Sequence, residues 1–96
     1  METSDPEWNA IFTGEYTAWT AKSYDDLLVV LSDVIAQRTC CVHYDREGLG
    51  GTYHIEVEPL ENRPDYIHVL VSVSGPSGWQ SLSTSFIRYA DGRLDA

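Results

Sequence analysis

Between Tyr53 and Ser74 apolar and polar side chains alternate with a period of two, and this constrains the fold more than any other feature. Tyr53, Ile55 and Val57 interleave with His54, Glu56 and Glu58, while Ile67, Val69, Val71 and Val73 share one parity after Tyr66. Successive side chains of a strand point to opposite faces, so such a segment buries one flank and wets the other. The pattern predicts strands over Thr39–Tyr44, Tyr53–Glu58, Tyr66–Ser74 and Trp79–Ala90. Polar connections follow from Asp45 to Gly51 and from Pro59 to Asp65, with a turn at Gly75-Pro76-Ser77-Gly78.

A strand flank needs something to cover it. Tyr24, Leu27, Leu28, Leu31, Val34 and Ile35 recur at three- and four-residue steps, the stripe of a helix packed on one side. Ser23 caps its start, with Asp26 three residues on, and Asp25 and Asp26 complement the helix dipole. Arg38 stands near its end. One long helix is therefore expected over Tyr24–Gln37. Upstream, Asp5-Pro6-Glu7 reads as a cap, a proline at the first helical position and an acid in the first turn. A short helix from Pro6 to Phe12, ended by Thr13-Gly14, is expected to precede a strand over Glu15–Ala21, which is rich in Thr and aromatics. The whole is a single α+β domain, residues 1–96, in the order β-α-β-β-β-β behind the short N-terminal helix. Sequential strands joined by short loops pair antiparallel, giving a sheet of about five strands with the long helix on one face.

Charge narrows the partners. Fifteen acidic against six basic residues leave a net charge of −9, and Lys22 is the single lysine. Such a surface repels phosphate, because nucleic-acid affinity comes largely from cationic side chains that neutralise the backbone. Direct binding to DNA, RNA or anionic lipid is disfavoured, and a basic protein partner is attracted. The first residues lack a basic, apolar leader pattern, and no apolar run approaches the ~20 residues needed to span a bilayer. A cytoplasmic protein is expected. Cys40 and Cys41 are adjacent, so a bond between them would strain the peptide, and both are expected reduced.

The candidate chemistry lies on the polar flank of the strands. Pairing Tyr44 with Tyr53 sets His43 opposite His54, and matching faces in the next hairpin sets Glu56 opposite His68. Cross-strand neighbours lie roughly 4.5–5.5 Å apart at Cβ, so His43, His54 and His68 are expected within reach of one another. Three imidazoles and a carboxylate are zinc ligand types, and a metal- or small-molecule-binding domain acting as a homodimer, with His43, His54 and His68 as the metal ligands, is the alternative reading. Against it, histidine is an ordinary residue on the wet side of a sheet, and a register error of one residue would scatter the three. The glycines at 48, 50 and 51 lead into a strand rather than a helix, unlike a phosphate loop. Ser77 lacks the nucleophile-elbow pattern. No catalytic motif is present, so neither enzymatic activity nor a cofactor is expected.

From about Tyr16 to Leu94 the layout resembles small immunity proteins of bacterial polymorphic-toxin systems. The stretch comprises a strand, the helix opened by Ser23-Tyr24-Asp25-Asp26-Leu27, a strand pair, the turn from Ser74 to Leu82 through Gly75-Pro76-Ser77-Gly78-Trp79, and a strand ending at Tyr89-Ala90-Asp91-Gly92. The resemblance implies tight inhibition of a cognate toxin. With the charge, it leads to an expected small acidic protein-binding module contacting a basic partner through Asp45, Glu47, Glu56, Glu58 and Trp79.

Overall fold

The computed structural model describes residues 6–37, 41–48, 51–75 and 81–96. Expectations placed on Asp5, Arg38, Cys40, Ser77 and Trp79 lie outside the described residues. Three helices, α1 (Pro6–Thr20), α2 (Tyr24–Val30) and α3 (Ser32–Gln37), precede five strands, β1 (Val42–Gly48), β2 (Gly51–Asn62), β3 (Tyr66–Ser74), β4 (Ser81–Tyr89) and β5 (Leu94–Asp95). The strands form one antiparallel sheet in sequence order, β1-β2-β3-β4-β5. The class is α+β, with helices on one face of the sheet, as the alternation requires.

The N-terminal third differs from the expectation. Glu15–Ala21 is not a strand: α1 runs through Gly14 to Thr20. The reason is a helical stripe that outweighs local β-propensity. Trp8, Ile11, Phe12, Tyr16 and Trp19 recur at steps of three, one, four and three residues, and all of them pack on the core. Trp8 is fully enclosed. Their burial stabilises the helix more than one exposed glycine weakens it, since Trp→Ala in a core costs about 3–5 kcal/mol and an interior glycine about 1.

The expected single helix over Tyr24–Gln37 is divided at Leu31, the C-cap of α2. Ser32 Oγ donates to the Val29 carbonyl at 2.8 Å, a back-bond that bends helices. The stripe survives the bend, because Leu27, Leu31 and Val34 are all buried. Ser23 Oγ accepts from the Asp26 amide at 3.1 Å, the cap its spacing predicts. Tyr24 ties α2 to the β2–β3 connection by donating to the Arg63 carbonyl at 2.8 Å.

Beneath the helices the sheet buries Tyr53, Ile55 and Val57 from β2, Ile67, Val69, Val71 and Val73 from β3, and Leu82 and Phe86 from β4. The Tyr16 ring meets Phe86 edge-on at 5.9 Å, an arrangement favoured by the aromatic quadrupole. Trp19 sits 6.1 Å from Tyr44 and anchors the β1 side. Arg46 points to this same inner flank: it lies over the Tyr44 ring and pairs with Glu15 of α1 at 3.6 Å. Among the described residues no helix is long and apolar enough to cross a membrane. The opposite face of the sheet carries no layer at all among the described elements.

Candidate functional site

The β1–β2 hairpin extends further than its composition suggests. Asp45, Arg46 and Glu47 are strand residues rather than loop residues, and pairing continues to Gly48 opposite Gly51. At that close a side chain on Gly48 would approach Tyr53 Cε1 to 3.0 Å, so glycine makes room for the buried ring. The longer hairpin shifts the expected register by two residues. Tyr44 pairs with Ile55 instead of Tyr53, His43 faces Glu56 instead of His54, and Asp45 faces His54. An even shift leaves every side chain on its expected face while changing its neighbours.

The outcome is a compact polar constellation on the uncovered face. His54 Nδ1 lies 2.7 Å and His43 Nε2 2.8 Å from the same Asp45 oxygen, Oδ1. A carboxylate only accepts, so each imidazole donates a ring N–H to it. The two rings stand 5.5 Å apart between centroids. Hydrogen bonds from His54 and then His43 hold the Asp45 carboxyl below its ordinary value. The other nitrogen of His43, Nδ1, lies 3.9 Å from Glu56 Oε1, an ion-pair distance rather than a hydrogen bond. Cys41 is a thiol, and it approaches Glu56 Oε2 at 3.7 Å.

His68 is not part of this group. β2 carries an irregularity between Pro59 and Glu61, after which Glu61 pairs with His68, while Glu56 pairs with Ser72. His68 bonds instead to Ser85 Oγ at 3.0 Å. The expected triple-histidine cluster is therefore corrected to two histidines and an aspartate, because the second hairpin's register carries His68 several pairs along the sheet. Asp45 was legible only as a loop acid. Its signal is the spacing His43-x-Asp45, which on a strand places both side chains on one face.

The remaining expected contacts are spread along the same face. Glu47 is exposed and accepts from Thr52 Oγ1 at 3.1 Å, Glu56 is exposed, and Glu58 is half-buried opposite Leu70. Ser83 and Ser72 bond to one another at 2.9 Å across β3 and β4. Near the β2–β3 connection Glu61 accepts from Tyr66 Oη at 2.6 Å and from Arg63 Nε at 3.0 Å, and these hold its carboxyl below the ordinary range. Chemically, the face offers carboxylates to a cationic partner and one tight N,O donor set to a metal. Comparison with protein-family models, with curated proteins and with solved structures finds no match for this chain.

Proposed function

We propose that the chain is a binding module that takes a basic protein partner on its open sheet face. One observation carries the reading: the helices cover a single face, and the outer rows of β1 and β2 that they leave open carry Asp45, Glu47, Glu56 and Glu58 beside His43 and His54, with no lysine or arginine among them. Arg46, which alternation in a regular strand could not turn outward, is engaged with Glu15 and Tyr44 on the covered side. Among the described residues the other cationic groups are occupied elsewhere. Lys22 lies over Trp19, Arg63 pairs with Glu61, Arg88 serves α1, and Arg93 pairs with Asp91. With a net charge of −9, this strip attracts a positively charged surface and speeds its encounter.

The finer reading, an immunity-type inhibitor covering the basic site of a toxin, rests on this charge and on the part of the layout from Ser23 onward, the strand with which the resemblance opens being helix here. The test is a titration between the purified chain and each basic protein that a gene adjoining its own is found to encode, at low and at moderate salt. Expected is a complex that weakens as salt rises and weakens further when Glu56 and Glu58 are changed together to Lys. A complex indifferent to both salt and charge reversal would end the proposal, as would the absence of any association.

A further inference from the structure

We infer that His43, Asp45 and His54 form a binding site for a borderline divalent cation of the zinc type. The inference shares Asp45 and Glu56 with the partner proposal but does not depend on it, resting on donor geometry alone. One ligand atom from each of the three residues lies within 4.8 Å of the others, and Nε2 of His43 and Nδ1 of His54 both meet Asp45 Oδ1. Two imidazoles and one carboxylate form a common three-ligand set of zinc sites that keep a fourth position open, and first-row divalent ions favour it over calcium or magnesium.

Both nitrogens are set slightly too close to the carboxylate oxygen for a metal to lie between them, and this is informative. With metal–ligand bonds near 2.0–2.1 Å, tetrahedral donors stand about 3.3 Å apart. In the protein the two nitrogens hydrogen-bond to Oδ1 at 2.8 and 2.7 Å. Opening the set by about half an ångström is within side-chain adjustment on an exposed sheet face, whereas the strands beneath are locked by a ladder running from Val42 opposite Val57 to Gly48 opposite Gly51. The backbone is therefore preorganised and only rotamers move.

His43 also has an outer partner. Once Nε2 faces a cation its proton must sit on Nδ1, and Nδ1 points toward Glu56 Oε1 at 3.9 Å. A carboxylate hydrogen-bonded behind a ligating histidine fixes the tautomer and strengthens the donor, and its loss typically costs 10–100-fold in metal affinity; at 3.9 Å the Glu56 contribution is smaller than that. Glu56 is thus a positioning residue, while Asp45 and the two histidines are ligands. His68, bonded to Ser85, is outside the set and supplies the control.

The experiment is a titration of the full chain with zinc, with cobalt(II) as the optical probe, and ring-nitrogen NMR of all three histidines. Expected is saturation at one equivalent, movement of the His43 and His54 resonances, and a still His68. Asp45→Asn and His54→Ala should weaken binding at least tenfold, Glu56→Gln should weaken it by a smaller factor, and His68→Ala should leave it unchanged. The NMR arm reads the unmodified protein, so a variant that folds poorly does not decide the matter. Failure to saturate, an equal response from His68, or affinity unaltered by Asp45→Asn would each overturn the site.

Discussion

Arg88 of β4 donates from its guanidinium to the carbonyl of Thr20, the last residue of α1, and from Nη1 to the Gly92 carbonyl at 2.9 Å. One side chain thereby satisfies a carbonyl left over at a helix end, opposes the negative pole of the helix dipole, and braces the turn that leads to β5. α1 has no basic residue of its own in its last turn. Arg88→Ala should destabilise the fold by about 1–3 kcal/mol, the range for losing charged hydrogen bonds to partly buried groups. Arg88→Lys should recover part of this, since it restores the charge without the planar fork. Urea unfolding of the two variants checks both; equal stability of Arg88→Ala and the parent would show that the contact carries nothing.

Gly14 tests whether α1 is continuous. It sits in the helix interior, exposed, and a Cβ there would meet nothing within 4 Å. Replacing glycine by alanine at such a site lowers the entropy lost on folding without adding a clash. Gly14→Ala should stabilise by about 1 kcal/mol, or about 4–8 °C in Tm for a domain of this size. A lower Tm would mean that the helix ends at Thr13-Gly14 after all.

These two residues show where the chain was readable and where it was not. The period-two runs specify one buried flank, and that flank is buried from Tyr53 to Val57 in β2 and from Ile67 to Val73 in β3. The cap at Ser23 was equally legible, being local. Around Gly14 two short-range signals, a breaker and a Thr-rich aromatic run, pointed away from helix, and the longer stripe from Trp8 to Trp19 prevailed through tertiary burial. β5 pairs through two residues only and left no pattern to read. The site was half visible for a related reason. Side-chain parity placed His43 and His54 on the open face, but which residues meet across strands depends on where the hairpin closes. That is decided at Gly48 and Gly51, and by the irregularity past Pro59, rather than by alternation.

Glu61 supplies a pH prediction. Its ordinary pKa of 4.5 is lowered first by the Tyr66 hydroxyl and then by Arg63, and Glu61 in turn raises the Tyr66 phenol. A carboxyl lowered in the folded state stabilises the fold above its unfolded pKa, and that contribution fades as pH falls through the folded value. Tyr66→Phe should shift the Glu61 carboxyl upward toward 4.5 while Arg63 keeps it somewhat below, as read by carbon NMR across the acid range. The effect on stability should be small, because the group is exposed and screened by water. An unmoved titration curve would show that the phenol does not hold the carboxylate.

Closure of the first hairpin gives the last prediction, since it sets the register on which the histidine–aspartate group depends. A methyl at Gly48 would stand 3.0 Å from Cε1 and 3.4 Å from Cδ1 of Tyr53, a ring that is itself buried. The ring must yield, and its freedom is limited by the core below and by Glu15, which together with burial raises the phenol pKa. Overpacking of this kind costs about 1–3 kcal/mol. Gly48→Ala should therefore destabilise the fold within that range, and Gly48→Val more. Because the pairing of Asp45 with His54 lies three residues inside the closure, amide contacts between β1 and β2 at that pair should persist in NMR spectra of Gly48→Ala. If instead β1 slides by one residue against β2, His43 and Asp45 turn toward the helices while His54, held by the β2–β3 pairing, stays on the open face, an arrangement that would bury the Asp45 charge without partners and unfold the hairpin.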